Sequence, residues 1–230
     1  MARHLRIQFE GAVYHVTARG NAREKIFFIE RDYQKFLEKL SDAVFQYDIR
    51  LYLFCLMPNH FHLVLETPRA NLSRFMQSLQ TAYAVYFNLK HSFSGHLLQG
   101  RFGAKLVEKD RYFLKLCRYV DLNPVHVQAL EKSDLNTKMR HLTEFRWSSF
   151  RSYVGLDAPL RFVDYGPLLA LVRELYPTGS DGELVSRLRV TKSTSDLDGD
   201  GGEGQTVTSD RQAAHCSPSD PDHKTEYKQT

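Results

Sequence analysis

The sequence predicts an α+β protein: a ferredoxin-like split βαβ sandwich with an antiparallel sheet, a short C-terminal helical extension and a disordered tail. Three observations carry this. Between residues 11 and 109 the hydrophobic periodicities run strand–helix–strand–strand–helix–strand, the order of a split βαβ unit. "IRLYLFCLM" (49–57) leads into "HFHLVLE" (60–66) across the break Pro58-Asn59, which reads as two hairpin-paired strands. The chain has 230 residues and 42% apolar content, enough for one domain with a true core and an appendage.

Element by element, "GAVYHVTARGN" (11–21) alternates apolar and polar residues and ends in a Gly-Asn turn, so it predicts a strand. Asp32 is suited to cap a helix through about Tyr47, with Phe36, Leu37, Leu40, Val44 and Tyr47 near one face. The continuously apolar 49–57 segment fits a strand buried on both faces. Asn71 is placed to cap a long helix to about Lys90, whose stripe is Leu72, Phe75, Met76, Leu79, Tyr83, Tyr86 and Phe87. "SGHLLQGRFGA" (94–104) is a glycine-punctuated loop, and "KLVEK" (105–109) a short strand. Asp110 would cap a helix ending near Asn123, because Pro124 disfavours helical dihedrals in the residue before it. "EFRWSSFRSYVG" (144–155) reads as a closing segment packed through its aromatics. "PLLALVRELY" (167–176) and "GELVSRLRV" (182–190) add short helices.

The predicted organisation is therefore a domain over 1–156, a helical extension over 157–190 and an acidic tail over 191–230. The tail is Ser, Thr, Asp and Gly with few apolar residues, a disorder composition. Its "DLDGDG" (196–201) echoes the opening of a calcium loop, but Val207 stands where that loop requires Glu, so an acidic linker is the reading.

The net charge of +4 conceals an asymmetry: residues 191–230 carry four Lys/Arg and eight Asp/Glu, leaving −4 there and +8 on residues 1–190. A basic body points to a polyanionic partner, nucleic acid first. No apolar run is long enough for a membrane helix, and the N-terminus has no signal-peptide core, so no membrane role is expected. The three cysteines, Cys55, Cys117 and Cys216, are far apart and odd in number, which suits a reducing, cytoplasmic location.

Chemistry concentrates in "MPNHFHLVLE" (57–66). Residues two apart on a strand share a face, so His60 and His62 project together while Phe61, Leu63 and Leu65 enter a core. Two imidazoles on one face can chelate a metal ion, given a third ligand and an open position. "LCRYVDLNPV" (116–125) offers that ligand. Phe113, Leu116, Cys117 and Val120 form the buried stripe of its helix. Tyr119 and Asn123, four apart, sit together at the border of the stripe. An Asn123 amide oxygen next to a metal would put Tyr119 one helical turn from it. On a phosphodiester, a metal polarises a non-bridging oxygen and a tyrosine attacks phosphorus. A free phenol ionises near pKa ~10, and a nearby cation assists it. Tyr83 and Tyr86 belong to an apolar stripe and read as packing residues; Tyr112 is the second choice of nucleophile. His15, on the first strand, reads as structural or DNA-facing.

At these residues the sequence resembles a known family. "MPNHFHLVLETP", "YHVTARGN", "GHLLQGRF" and "RYVDLNPV" are similar to motifs of the REP-associated tyrosine transposases, IS200-like, single-tyrosine members of the HUH nuclease superfamily. The resemblance spans about residues 5–155. It implies cleavage and joining of single-stranded DNA beside a hairpin, with Mg²⁺ or Mn²⁺, by a monomer or homodimer. It further implies His60, His62 and Asn123 as metal ligands and Tyr119 as nucleophile, linked to a 5′-phosphate with a free 3′-hydroxyl left behind. Whether Tyr119 serves its own chain's histidines or a partner's stays open.

DNA contacts are expected from "RGNAREK" (19–25), through Arg19, Asn21, Arg23 and Lys25, and from "GHLLQGRFGAK" (95–105), through His96, Gln99, Arg101 and Lys105. Two other functions remain compatible with the sequence. One is a single-strand-binding module without catalysis. The other is a zinc hydrolase built on His60 and His62.

Overall fold

The computed structural model describes residues 7–108 and 111–175. Asp110, the helix expected over 182–190 and the acidic tail lie outside the described residues. Four strands, β1 (Ala12–Arg19), β2 (Arg50–Met57), β3 (His60–Thr67) and β4 (Gly103–Val107), form one sheet in the order β2-β3-β1-β4. All three pairings are antiparallel. Two long helices, α1 (Glu30–Tyr47) and α2 (Leu72–His91), supply the crossovers; α3 (Arg111–Asp121), α4 (Leu135–Glu144), α5 (Phe150–Tyr153) and α6 (Gly166–Leu175) follow. This is the split βαβ sandwich that the periodicities predict.

Register sorts the sheet into two faces. Ala18 faces Phe61, Val16 faces Leu63 and Tyr14 faces Leu65; directly opposed residues share a face. α1 and α2 cover that face, with the Phe36 ring 4.8 Å from Phe61 and 5.0 Å from Tyr83. On the other face Thr17 opposes His62, Arg19 opposes His60 and Cys55 opposes His62 from β2. α3 packs there through buried Phe113, Leu116, Cys117 and Val120, the stripe expected from its sequence. Covered on both faces, β2 buries every residue from Leu51 to Met57.

Several boundaries differ from the sequence expectation for physical reasons. α1 begins two residues before Asp32, whose carboxylate accepts from the backbone N–H groups of Phe28 (2.8 Å) and Ile29 (3.1 Å). Asp32 is thus a first-turn acid reaching back to satisfy N-terminal donors, not the cap residue. Asn71 does occupy the cap position of α2, but its side-chain amide donates to Tyr47 O (2.7 Å), while Gln8 Oε1 accepts from Ser73 N (2.9 Å). β4 starts at Gly103, inside the expected loop. The helix α4 was not expected; Asp134 caps it, accepting from Thr137 N at 2.9 Å. Leu168 and Val172 of α6 are buried in the main core.

Candidate active site

The site is assembled from the ends of β1 and β3, the turn between β2 and β3, and the C-terminal turn of α3. His62 is 5% exposed, and its ring centroid lies 5.0 Å from that of His60. Each imidazole has its Nδ1 engaged. His60 Nδ1 meets Asn59 Oδ1 at 2.7 Å, and His62 Nδ1 meets His15 Nε2 at 2.9 Å. His62 Nε2 is buried and has no hydrogen-bond partner among the described residues. Fixing one ring nitrogen leaves the other as the ligating atom, the usual arrangement behind a metal-bound histidine.

Asn123 closes the site from the helix side. α3 ends at Asp121, and Pro124 carries no N–H to continue it. The Asn123 side chain takes over, its Nδ2 donating to Tyr119 O (2.8 Å) and more weakly to Val120 O (3.5 Å). Carbonyls only accept, so the amide nitrogen must face the helix end. The amide oxygen is left free of the helix end, near His60 and His62. The same bond ties Asn123 to Tyr119. The Tyr119 ring is 48% exposed, 5.9 Å from His62 and 6.3 Å from His15 between centroids. Within one chain, then, the tyrosine stands beside the histidine pair.

The electrostatics favour neutral imidazoles. Burial pushes His62 down to about 3, reinforced by the neighbouring His60 and His15. His15 falls to about 4 through burial and the Lys105 charge. His60 is lowered by burial and by Arg19, against the opposing Asn123 hydrogen bond. Neutral rings keep a lone pair for a Lewis acid. Two such nitrogens, one of them without a partner among the described residues, and an amide oxygen make a mixed nitrogen–oxygen donor set able to hold a divalent cation with open positions. Among the described residues no group of three His, Cys, Asp or Glu is arranged to hold a metal, so an ion held by the two imidazoles would draw a third protein donor from the amide.

These residues open into a cleft of about 920 Å³ lined by His60, His62 and Tyr119 together with Arg19, Arg23, Gln99, Arg101 and Asn59, and by no acid among the described residues. The two basic segments expected to contact DNA meet along one edge of it. Asn21 N donates to Leu97 O (3.0 Å), Gln99 N to Arg19 O (2.9 Å), and Gly20 bridges Leu98. Gly20 is required here, since a Cβ would fall 2.0 Å from Glu24 O. Of the other expected DNA residues, exposed Asn21 lies in the turn next to the cleft. Lys25 lines a separate groove with Tyr33 and Trp147, and His96 lines another against α2. Lys105 sits opposite His15 on the site face of β4. The competing tyrosines are elsewhere: the buried Tyr83 donates to Ile26 O (2.5 Å), Tyr86 donates to Asp32 (3.2 Å), and Tyr112 is an exposed residue of α3 outside the cleft lining.

Sequence reasoning missed Asn59 and underrated His15. Asn59 adjoins the motif and could have been found as the polar residue before His60. His15 meets His62 only because β1 and β3 pair in this register.

A ferredoxin-like sheet thus carries a His-hydrophobic-His pair beneath the tyrosine of α3 and the asparagine that follows that helix. The family model "Transposase IS200 like" matches residues 8–123, and the chain belongs to that family. A structure described as a REP-associated tyrosine transposase bound to a REP hairpin superposes with TM-score 0.54 at 15% identity, covering 73% of this chain and 96% of that one. A Deinococcus radiodurans R1 crystal structure named for a transposase matches at TM-score 0.38 and 18% identity over 52% of this chain and 96% of that one. No curated protein matches the chain.

Proposed function

We propose that this transposase-family chain cleaves and rejoins single-stranded DNA beside a hairpin, through a covalent 5′-phosphotyrosine on Tyr119. The observation that carries the reading is the 5.9 Å approach of the Tyr119 ring to His62 at a cleft lined by arginines, with Asn123 tied to the Tyr119 carbonyl. The hairpin bound by the structurally similar REP-associated transposase supports a partner of that kind.

Tyr119 Oη forms a bond to phosphorus as the P–O3′ bond breaks; the phenolic proton leaves to solvent, and the departing 3′-oxygen takes one from water. One phosphoester replaces another, so the reverse attack by a 3′-hydroxyl rejoins DNA without an external energy source. His60, His62 and Asn123 would hold Mg²⁺ or Mn²⁺, which when bound polarises a non-bridging phosphate oxygen. His15 and Asn59 hold the imidazoles in place. Arg23 and Arg101 would track the phosphate backbone.

The test is incubation with hairpin-bearing single strands and Mn²⁺, followed by denaturing electrophoresis. The expected result is a protein–DNA adduct that Tyr119→Phe abolishes. Tight binding with no adduct would support a binding module instead, and strand cleavage that survives Tyr119→Phe would support a metal-dependent hydrolase.

A further inference from the structure

Arg19 differs from the other cleft arginines in how firmly it is placed. It ends a central strand rather than riding on a loop, and it is the register partner of His60. Facing residues on an antiparallel pair hold their Cβ atoms about 5 Å apart on the same face, so a group bound at His60 lies within a guanidinium's reach. Gln99 Oε1 accepts from Arg19 Nε at 2.7 Å, and the Gln99 backbone is itself bonded to Arg19 O. That uses the Nε donor and leaves both Nη groups without a partner among the described residues. Arg23, in contrast, sits at a left-handed φ of 63° in the turn, and Arg101 follows Gly100 in the glycine-spaced loop. Among the described residues no acid lines the cleft, so none of them there neutralises the Arg19 fork.

We propose that Arg19 grips a non-bridging oxygen of the phosphate that Tyr119 attacks and stabilises the charge gathering there, and that Gln99 is its positioning residue. This rests on the strand-transfer reading above. A guanidinium fork held by its Nε presents two parallel donors, the geometry that suits a phosphate. Held in place before the reaction, it needs no reorganisation as the transition state forms. Arg19 is then a catalytic residue with a fixed target, not one of several interchangeable backbone contacts.

The test uses the full chain and a synthetic pool of single strands, each with one hairpin and randomised flanks, from which the tightest binder is taken. A methylphosphonate, which removes one phosphate charge, is walked along that strand. Binding is measured in Tyr119→Phe chains with and without Arg19→Ala. One position should weaken binding when neutralised, and Arg19→Ala should erase that sensitivity. The position should also be the bond that the wild-type chain cleaves. Cleavage at saturating DNA should fall by about a hundredfold in Arg19→Ala, the usual loss for one preorganised donor. In Gln99→Ala it should fall too, by up to the roughly hundredfold that a misplaced group can cost, with no further loss when combined with Arg19→Ala.

A rate unchanged in Arg19→Ala overturns the proposal. So does phosphate sensitivity that persists without Arg19, or a coupling of Arg19 to a guanine instead. If the wild-type chain cleaves nothing, the strand-transfer reading fails by itself, and the Arg19 contact still stands or falls on the binding scan.

Discussion

At the scale of single residues, the site combines features that a sequence displays with features that only register creates. The strand period of two puts His60 and His62 on one face, and the helix spacing of four puts Tyr119 beside Asn123; both are readable before any fold is known. The supporting contacts are not. His15 reaches His62 at 2.9 Å because Thr17, not His15, lies directly opposite His62, which makes His15 a diagonal neighbour. A one-residue slip would send it to the other face. The account assigns His15 the task of holding His62 Nδ1 so that Nε2 stays available. His15→Ala should therefore weaken Mn²⁺ binding, read by calorimetry, by about 10- to 100-fold, the usual effect of losing such a support. Undiminished affinity would make His15 a packing residue only.

At the scale of elements, hydrophobic stripes fixed the positions of α1, α2 and α3, and turn residues fixed the hairpin. Ends were less legible. Asp32 resembles a cap because first-turn acids and cap acids satisfy the same N–H groups, and only coordinates separate the two. α4 lacks a strong apolar stripe and buries only Leu142, so its cap at Asp134 was the one available signal. The last residue of α3 has a further consequence. Burial raises the Asp121 carboxyl from 3.8 to about 8, and its buried Oδ1 has no hydrogen-bond partner among the described residues. Between those two values the unfolded chain gives up a proton that the folded chain keeps, so stability from this group falls as pH rises. Asp121→Asn should therefore stabilise the protein at neutral pH by roughly 2–4 kcal/mol. It should also flatten the decline in melting temperature between pH 4 and pH 8, whereas an identical pH profile in the two proteins would refute the assignment.

At the scale of the whole molecule, the sheet separates two tasks. One face, under α1 and α2, is a hydrocarbon core rich in Phe36, Phe61 and Tyr83. The other face carries α3 and, beyond its edge, the arginine-lined cleft. No described helix is long and apolar enough to cross a membrane. The excess of positive charge on residues 1–190, legible in the sequence as a hint of a polyanion, becomes specific in the fold: Arg19 and Arg23 from one segment and Arg101 from another reach the same cleft. If each neutralises one phosphate of a single strand, affinity should fall with a log–log salt slope near −2, or roughly 20-fold between 50 and 200 mM salt. Binding insensitive to salt would mean that the cleft is not the strand's path.

The most direct measurement is mass spectrometry of the peptide that retains DNA after reaction of the full chain with a hairpin-bearing single strand and Mn²⁺. The account predicts one modified peptide, containing Tyr119, linked through its phenolic oxygen to a 5′-phosphate. A linkage to any other residue, or complete strand cleavage with every peptide unmodified, would contradict it.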